Sequence, residues 1–270
     1  MRQYSLSNNP ADKSHYRVAV LIEEQGKGGS IAVRDLVNEG DILSISQPRN
    51  HFPLEEKANY SILVAGGIGL TPLLAMAYQL RDAGQPFMLY YRCKTRARAA
   101  YADLLLEEFG SSVESLFSDE GGRENFDLDV ILSEAPKGTQ LYTCGANSFM
   151  EFVTETAAKY LSEEQIHLEH FYPVELTDSS DDQSFELYCQ KSDVTVQVPA
   201  DKSIVEVLDT AGVDVPISCT EGICGSCITP FLEGEVDHRD YVLSKSEKEK
   251  KRLFTPCCSR ASTKRLVIDL

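Results

Sequence analysis

Hydrophobic positions change their spacing twice along this chain of 270 residues. Up to residue 57, short apolar runs separated by turn residues predict strands at 2–6, 16–22 and 42–46. From residue 60, continuous apolar runs alternate with helical patterns, which predicts a parallel sheet with intervening helices. After a polar stretch, two strand patterns, a helix, a cysteine-rich loop and a last strand complete the chain. We therefore predict a segment of strands and turns at 1–57, a five-stranded parallel α/β domain at 58–176, a linker at 177–184 and a domain of strands with one helix at 185–270.

Glycine-rich segments follow two of the predicted parallel strands. The first strand, 61–65, runs into 66–71, and a helix over 73–83 follows, with Thr71 as its cap and Pro72 in its first turn. The fourth strand, 140–143, ends at 144–147. Because ligands bind at the carboxyl ends of parallel strands, we expect both segments to face one crevice. A glycine loop at a helix N-terminus suits a pyrophosphate, but the third glycine of the full G-x-G-x-x-G fingerprint is missing here.

The other elements of the middle and last domains are read from the same patterns. We expect further parallel strands at 87–91, 112–118 and 166–171, and helices at 97–109, 128–134 and from 147 to 160. In the last domain, a hairpin of strands 185–190 and 194–198 precedes a helix over 203–211 that Ser203 caps. A strand at 265–270 ends the chain.

Cysteines in the last domain have the spacing of a metal site. The run C-x4-C-x2-C, followed by a distant cysteine, is the plant-type pattern for a [2Fe–2S] cluster, and its members are Cys219, Cys224 and Cys227. Gly222 and Gly225 let the backbone fold closely around a cluster. Zinc ribbons pair two C-x2-C motifs, a pattern this loop does not have. The spacing leaves Cys257 and Cys258 both open as the fourth ligand, while Cys93 and Cys189 are interpreted as structural thiols.

Charge and composition exclude several classes of partner. The chain has 26 basic and 42 acidic residues and a net charge of −16, which disfavours nucleic acid and anionic membranes. No apolar run is long enough to span a bilayer, and the polar start predicts no signal peptide. The eight cysteines then favour metal ligation in a reducing cytoplasm over disulfides. We expect a monomer.

Motifs spread over the whole chain resemble those of the phthalate dioxygenase reductase family, which includes vanillate demethylase reductases and the reductase of carnitine monooxygenase. The resemblance is carried by Arg2-x-Tyr4-Ser5-Leu6, Gly28-Gly29-Ser30, Gly66-Gly67-Ile68-Gly69-x-Thr71-Pro72, Tyr142-x-Cys144-Gly145, His167-x-Glu169-x-Phe171, the cysteine loop, Asp237-His238-Arg239-Asp240, Cys257-x-Ser259-Arg260-Ala261 and Leu266-Val267-Ile268-Asp269-Leu270. It implies a partial antiparallel flavin-binding β-barrel at 1–57, a nicotinamide domain at 58–176 and a β-grasp ferredoxin domain at 185–270. The cofactors it implies are FMN, NADH and a 2Fe–2S cluster.

The resemblance also implies roles for individual residues. The FMN would be held by Arg2, Tyr4, Ser5, Leu6, Ala19, Val20, Gly28, Gly29 and Ser30. Thr71 would lie at the flavin edge and Phe171 would cover the ring. NADH would be held by Gly66, Gly67, Gly69, Cys144 and Gly145, with Cys144 and Thr71 nearest the hydride transfer. Alignment of the Ser-Arg-Ala tail favours Cys257 as the fourth cluster ligand. From the residues alone, Cys144 is equally well interpreted as a buried small side chain.

The implied activity is that of the reductase component of a Rieske-type oxygenase. Hydride passes from NADH to the flavin, which gives single electrons to the cluster and so to the oxygenase, which alone selects the aromatic or amine substrate. Lys94, Arg96 and Arg98 follow the second parallel strand, where NADPH would place its 2′-phosphate, but the family favours NADH.

In the family, the flavin barrel begins some tens of residues before the Arg-x-Tyr-Ser motif. Here the motif starts at residue 2, so we expect about half of the barrel, either because the start is mis-assigned, because this is a fragment, or because the protein is shortened. The competing hypothesis is a flavin-free ferredoxin-type electron carrier with a vestigial reductase domain.

Overall fold

The computed structural model describes residues 2–26, 28–122, 125–172, 182–243 and 245–270. By its internal contacts the chain divides into two compact units, one formed by Tyr4–Phe171 and the other by Met1–Gln3 with Tyr172–Leu270. Most of the expected linker, 177–181, lies outside the described residues. The expected boundary at residue 57 falls inside the first unit and stays a prediction.

The described residues between 2 and 57 contain one helix, α1 (Gly29–Leu36), and no strand. The strands predicted at 2–6, 16–22 and 42–46 are therefore corrected to irregular segments. A strand requires a neighbour for its hydrogen-bond ladder. The N–H of Ser7 donates to the carbonyl of Arg17 over 2.8 Å, but no ladder extends from this bond within the described residues. Apolar side chains of these segments and of α1 remain exposed, including Leu36 of α1 at 73%, Ile42 at 98% and Ile45 at 70%.

A five-stranded parallel sheet forms the centre of the first unit, as predicted. Its elements in chain order are β1 (Tyr60–Gly66), α2 (Leu70–Asp82), β2 (Phe87–Cys93), α3 (Ala102–Phe109), β3 (Val113–Phe117), α4 (Leu128–Ser133), β4 (Thr139–Gly145), α5 (Asn147–Ala157) and β5 (Ile166–His170). The strand order is β3-β2-β1-β4-β5. The continuous apolar run Ile62–Ala65 fills the central strand and is at most 1% exposed, because helices cover both faces of such a sheet.

Two helices begin differently from the sequence prediction. A 3₁₀ turn, Gly67–Gly69, leads directly into α2, so that helix starts at Leu70 with Gly69 as its N-cap. Thr71 thus lies inside the first turn, where its hydroxyl donates to the carbonyl of Ile68 over 3.1 Å. The helix expected at 97–109 is interrupted before α3, because Tyr101 adopts a left-handed conformation with φ 60°.

The second unit is a mixed β-sheet with one main helix. Its elements are β6 (Phe185–Cys189), β7 (Val194–Val198), α6 (Ile204–Thr210), β8 (Thr229–Glu233), β9 (Val236–Asp237), α7 (Lys245–Glu249), β10 (Leu253–Phe254), β11 (Arg260–Ala261) and β12 (Arg265–Ile268). The sheet order is β10-β8-β12-β6-β7, and β9 pairs with β11 separately. β6 and β7 form the expected antiparallel hairpin, and β12 pairs parallel to β6.

The main helix of this unit starts where the sequence places its cap. The Ser203 hydroxyl accepts from the N–H of Glu206 over 3.3 Å, and the Ser203 N–H donates to the Glu206 carboxylate over 2.8 Å. This reciprocal capping box satisfies two donors at the helix start. Together, the parallel α/β sheet and the mixed C-terminal sheet confirm the predicted fold class.

Candidate functional site

The two glycine segments after β1 and β4 lie side by side at the carboxyl edge of the parallel sheet. β1 and β4 are neighbours, with Ala65 opposite Cys144 in the ladder. Gly69 sits so close to the Cys144 carbonyl that a Cβ there would overlap it. A Cβ on Gly66 or Gly145 would lie 2.7 Å from the Phe149 ring. The two segments therefore lie side by side, and glycine at position 69 is required for them to approach. That they face one crevice stays a prediction.

Donors for an anion are present at this edge. The loop after β1 continues through a 3₁₀ turn into α2 without a side-chain cap, so the first N–H groups of the helix are not satisfied by a neighbouring side chain. Such a helix start favours a negatively charged group, such as the pyrophosphate of a dinucleotide. The residues therefore fit the nucleotide that the sequence predicts.

A buried thiol and a carboxylate stand together at the end of β4 and β5. Cys144 is fully buried and pairs with Glu169 across the ladder. Burial, and then the charge of Glu169, raise the pKa of the Cys144 thiol well above its usual value. Burial also raises the pKa of Glu169 to about 7, while the Ser5 hydroxyl, which donates to its Oε2 over 3.3 Å, opposes that rise.

Glu169 was not among the site residues assigned from the sequence, although it stands in the matching His-x-Glu-x-Phe motif. The feature that could have identified Glu169 is a carboxylate in a short strand, β5, whose paired residues in β4 are buried. Ser5, which the resemblance assigned to the flavin, is brought to this carboxylate by the structure. Phe171 ends the first unit directly after β5.

The other residues assigned to FMN are spread over the irregular segments. Gly28, Gly29 and Ser30 form the start of α1, with Gly28 at φ 79°. The N-cap is a glycine with no side chain to satisfy the first N–H groups, so this helix start fits a phosphate. Tyr4, Leu6, Ala19 and Val20 belong to the first unit, whereas Arg2 groups with the second. Their role at FMN stays a prediction.

The cysteine loop gathers thiols as its spacing predicts. Hydrogen bonds from the thiols of Cys224 and Cys257 lower the pKa of Cys219, and one from Cys257 lowers that of Cys227. Backbone N–H groups also point at the sulfurs: that of Glu221 donates to the Cys219 sulfur over 3.3 Å. The four thiols therefore neighbour one another in pairs, and N–H donors aimed at sulfur suit a 2Fe–2S cluster.

Cys257 and Cys258 have different surroundings. The Cys257 thiol is hydrogen-bonded to the thiols of the loop cysteines Cys219 and Cys227. The Cys258 sulfur lies 3.2 Å from the Thr255 hydroxyl, and a Cβ on Gly222, which has φ 73°, would lie 2.7 Å from that sulfur. Cys258 therefore packs behind the loop, which favours Cys257 as the fourth ligand.

Two further segments hold the loop within the same unit. The Tyr241 N–H donates to the carbonyl of Gly222 over 3.0 Å, next to Asp240, whose buried carboxylate accepts from the N–H of Leu243 over 2.8 Å. The Gln3 amide donates to the Ser226 hydroxyl over 3.0 Å. These bonds indicate that the segment around Asp240 and Tyr241 holds the cysteine loop in place.

Family models match a segment in each of the two units. Residues 187–262 match the 2Fe-2S iron-sulfur cluster binding domain. Residues 44–165 match the N-terminal domain of dimethylamine monooxygenase subunit DmmA-like proteins.

Relatives match the chain over its whole length. A vanillate O-demethylase oxidoreductase of Pseudomonas sp. (strain HR199 / DSM 7063) is 43% identical over 272 residues, covering 100% of this chain and 86% of that protein. The structure of phthalate dioxygenase reductase, a modular structure for electron transfer from pyridine nucleotides to [2Fe-2S], matches at 38% identity with a TM-score of 0.67, covering 99% and 83%. An intact type IV self-sufficient cytochrome monooxygenase matches at 37% identity and a TM-score of 0.92, but the chain spans only 35% of it.

The fold, the cysteine loop and these relatives define an NAD(P)H-dependent oxidoreductase that uses FMN and a 2Fe–2S cluster as a reductase component of an oxygenase system. The chain belongs to the phthalate dioxygenase reductase and vanillate O-demethylase oxidoreductase family.

Proposed function

We propose that this chain takes hydride from NADH and delivers single electrons to a Rieske-type non-haem iron oxygenase. The observation that carries the proposal is that the thiols of the four cysteines neighbour one another in pairs, in the same chain as a nucleotide-type glycine edge. The cluster ligands are Cys219, Cys224, Cys227 and Cys257. The oxygenase selects the substrate, so the reductase itself needs no pocket for an aromatic or amine compound.

At the sheet edge, the residues of this chain position the nicotinamide rather than move protons. Gly66, Gly67, Gly69 and Gly145 let the nucleotide backbone approach, and Thr71 and Phe171 lie toward the flavin. Cys144 stays a neutral thiol because burial raises its pKa, so it adds no charge beside the ring. The bound FMN supplies the conversion of a two-electron donor into one-electron steps.

The flavin is held by residues of the irregular segments. Gly28, Gly29 and Ser30, at the start of α1, would hold the FMN phosphate through backbone donors. The resemblance implies that six further residues bind FMN: Arg2, Tyr4, Ser5, Leu6, Ala19 and Val20. Ser5 also donates to Glu169, which connects the flavin segment to the nicotinamide edge.

The partner and the compartment follow from charge and thiol chemistry. A net charge of −16 favours docking on a basic surface of the oxygenase, with rates that fall as salt rises. Thiolate ligands persist in a reducing compartment, so we place the chain in the cytoplasm, as a monomer. Among the described residues, no helix has both the length and the apolar character needed to cross a bilayer.

Cofactor content of the purified protein tests this proposal. We expect close to one FMN, two irons and two inorganic sulfides per chain, by flavin release and metal analysis. Iron and sulfide without flavin would instead support the flavin-free ferredoxin-type carrier. Zinc in place of iron would contradict both.

A further inference from the structure

The cationic segment that follows β2 is faced by an acidic segment that follows β3. Lys94, Arg96 and Arg98 are exposed directly after β2. β2 and β3 are parallel neighbours, and Cys93 lies opposite Phe117 at their carboxyl ends. The N–H of Asp119 donates to the carbonyl of Lys94 over 3.2 Å. The two segments are therefore held against each other at the edge where a dinucleotide lies.

Arg96 and Glu120 form a two-pronged ion pair across these segments. The Arg96 Nε lies 3.2 Å from Glu120 Oε1, and Nη2 lies 2.9 Å from Oε2. The guanidinium also stacks over the Phe117 ring, 4.4 Å from its centroid. A planar guanidinium matches a carboxylate in this fork geometry, which is also the geometry it offers to a phosphate.

The ribose 2′-position decides between NADH and NADPH at this part of an α/β sheet. An acidic residue accepts a hydrogen bond from a free 2′-hydroxyl, whereas an arginine binds a 2′-phosphate. Here the arginine is occupied by a carboxylate, and Asp119 adds a second negative charge beside it. A 2′-phosphate would have to displace the Glu120 carboxylate and meet its charge at short range.

We propose that Glu120 is a specificity-determining residue that holds Arg96 and thereby reserves this site for a dinucleotide with a free 2′-hydroxyl. This inference rests on the proposed function and names the nucleotide class of the same site. It reverses the reading of the basic residues after β2 as a 2′-phosphate site: the cation is present, but its partner is a carboxylate of the same chain.

Substitution Glu120→Gln tests the inference, with Glu114→Gln as a matched control, since Glu114 lies at the other end of the same strand, opposite Tyr90. For Glu120→Gln we expect the ratio of kcat/KM for NADPH to that for NADH to rise at least tenfold, which corresponds to about 1.4 kcal/mol. The control should leave that ratio unchanged. The same ratio for Glu120→Gln as for wild type would overturn the inference.

Calorimetric binding to the purified full chain provides a readout that does not depend on electron transfer. Adenosine 2′,5′-bisphosphate should bind about tenfold more tightly to Glu120→Gln than to wild type, while ADP, which has no 2′-phosphate, should bind equally well to both. The gain should disappear in the double variant Glu120→Gln/Arg96→Ala. Persistence of the gain without Arg96, or a wild-type preference for the 2′-phosphate, would show that Glu120 does not act through Arg96.

The two levels of inference fail in different ways. A wild-type chain that oxidises neither NADH nor NADPH contradicts the proposed function, whereas the binding experiment still decides the role of Glu120. A chain that oxidises both nucleotides equally contradicts the role of Glu120 and leaves the proposed function standing.

Discussion

The carboxylate of Glu169 should make the stability of the first unit depend on pH. Its pKa rises from 4.5 to about 7 on folding, chiefly because of burial. The folded state therefore binds more protons than the unfolded state between these values, and the free energy of unfolding falls as pH rises through this window. A rise of about 2.5 pKa units is equivalent to about 3 kcal/mol. Because Glu169 is partly exposed, we expect about 1–2 kcal/mol after screening by solvent.

Glu169→Gln removes this dependence, because the amide keeps the shape and can still accept from Ser5 but does not ionise. Urea unfolding at pH 5, 6, 7 and 8, followed by circular dichroism, measures the free energy of unfolding of each variant. Wild type should lose about 1–2 kcal/mol relative to Glu169→Gln between pH 5 and 8. Glu164→Gln, an exposed neighbour before β5, is the control and should follow wild type. Parallel pH profiles of wild type and Glu169→Gln would refute the burial argument.

Three further outcomes are expected. Cys257→Ser should abolish the visible absorbance of the cluster and Cys258→Ser should leave it; the reverse result would exchange the two assignments. Gly69→Ala should lower the free energy of unfolding by about 1–3 kcal/mol, because the new methyl group overlaps the Cys144 carbonyl, and a thermal shift below 1 °C would contradict this. Ser203→Ala should lower the free energy of unfolding by about 1 kcal/mol, because the capping box is lost. Urea unfolding measures this loss, and Ser203→Asp should restore the stability.

Periodicity predicted the parallel sheet well because its central strand is buried on both faces. The run Ile62–Ala65 is apolar at every position, and only a strand covered by helices requires that pattern. The cysteine loop was equally predictable, because metal ligation fixes both residue type and spacing. The Ser203 cap follows from a local signal, with serine followed three residues later by glutamate.

Other features depend on contacts that the sequence does not display. The start of α2 moved from 73 to Leu70 because a 3₁₀ turn, not the Thr71 side chain, leads into it. The strands predicted before residue 57 have suitable alternation, but pairing depends on a neighbouring strand, which the described residues do not supply. The pairing of Arg96 with Glu120 joins residues from the segments that follow two different strands, so neither charge predicts it alone.

The sequence predicted which glycine and cysteine residues form the site, but not the protonation of the carboxylate beside them. Glycine and cysteine positions followed from motifs, and the structure brings Gly69 against Cys144 as expected. The pKa of Glu169 depends on burial at the end of β5 and on the Ser5 hydroxyl, 164 positions away along the chain. No local pattern contains that information.

Rapid mixing of the purified protein with NADH under anaerobic conditions tests the central claim most directly. The account predicts that the flavin absorbance decreases first and that the cluster absorbance then decreases at a rate independent of protein concentration, since the second transfer occurs within one chain. A cluster that dithionite reduces but NADH does not, in protein containing FMN, would contradict the account.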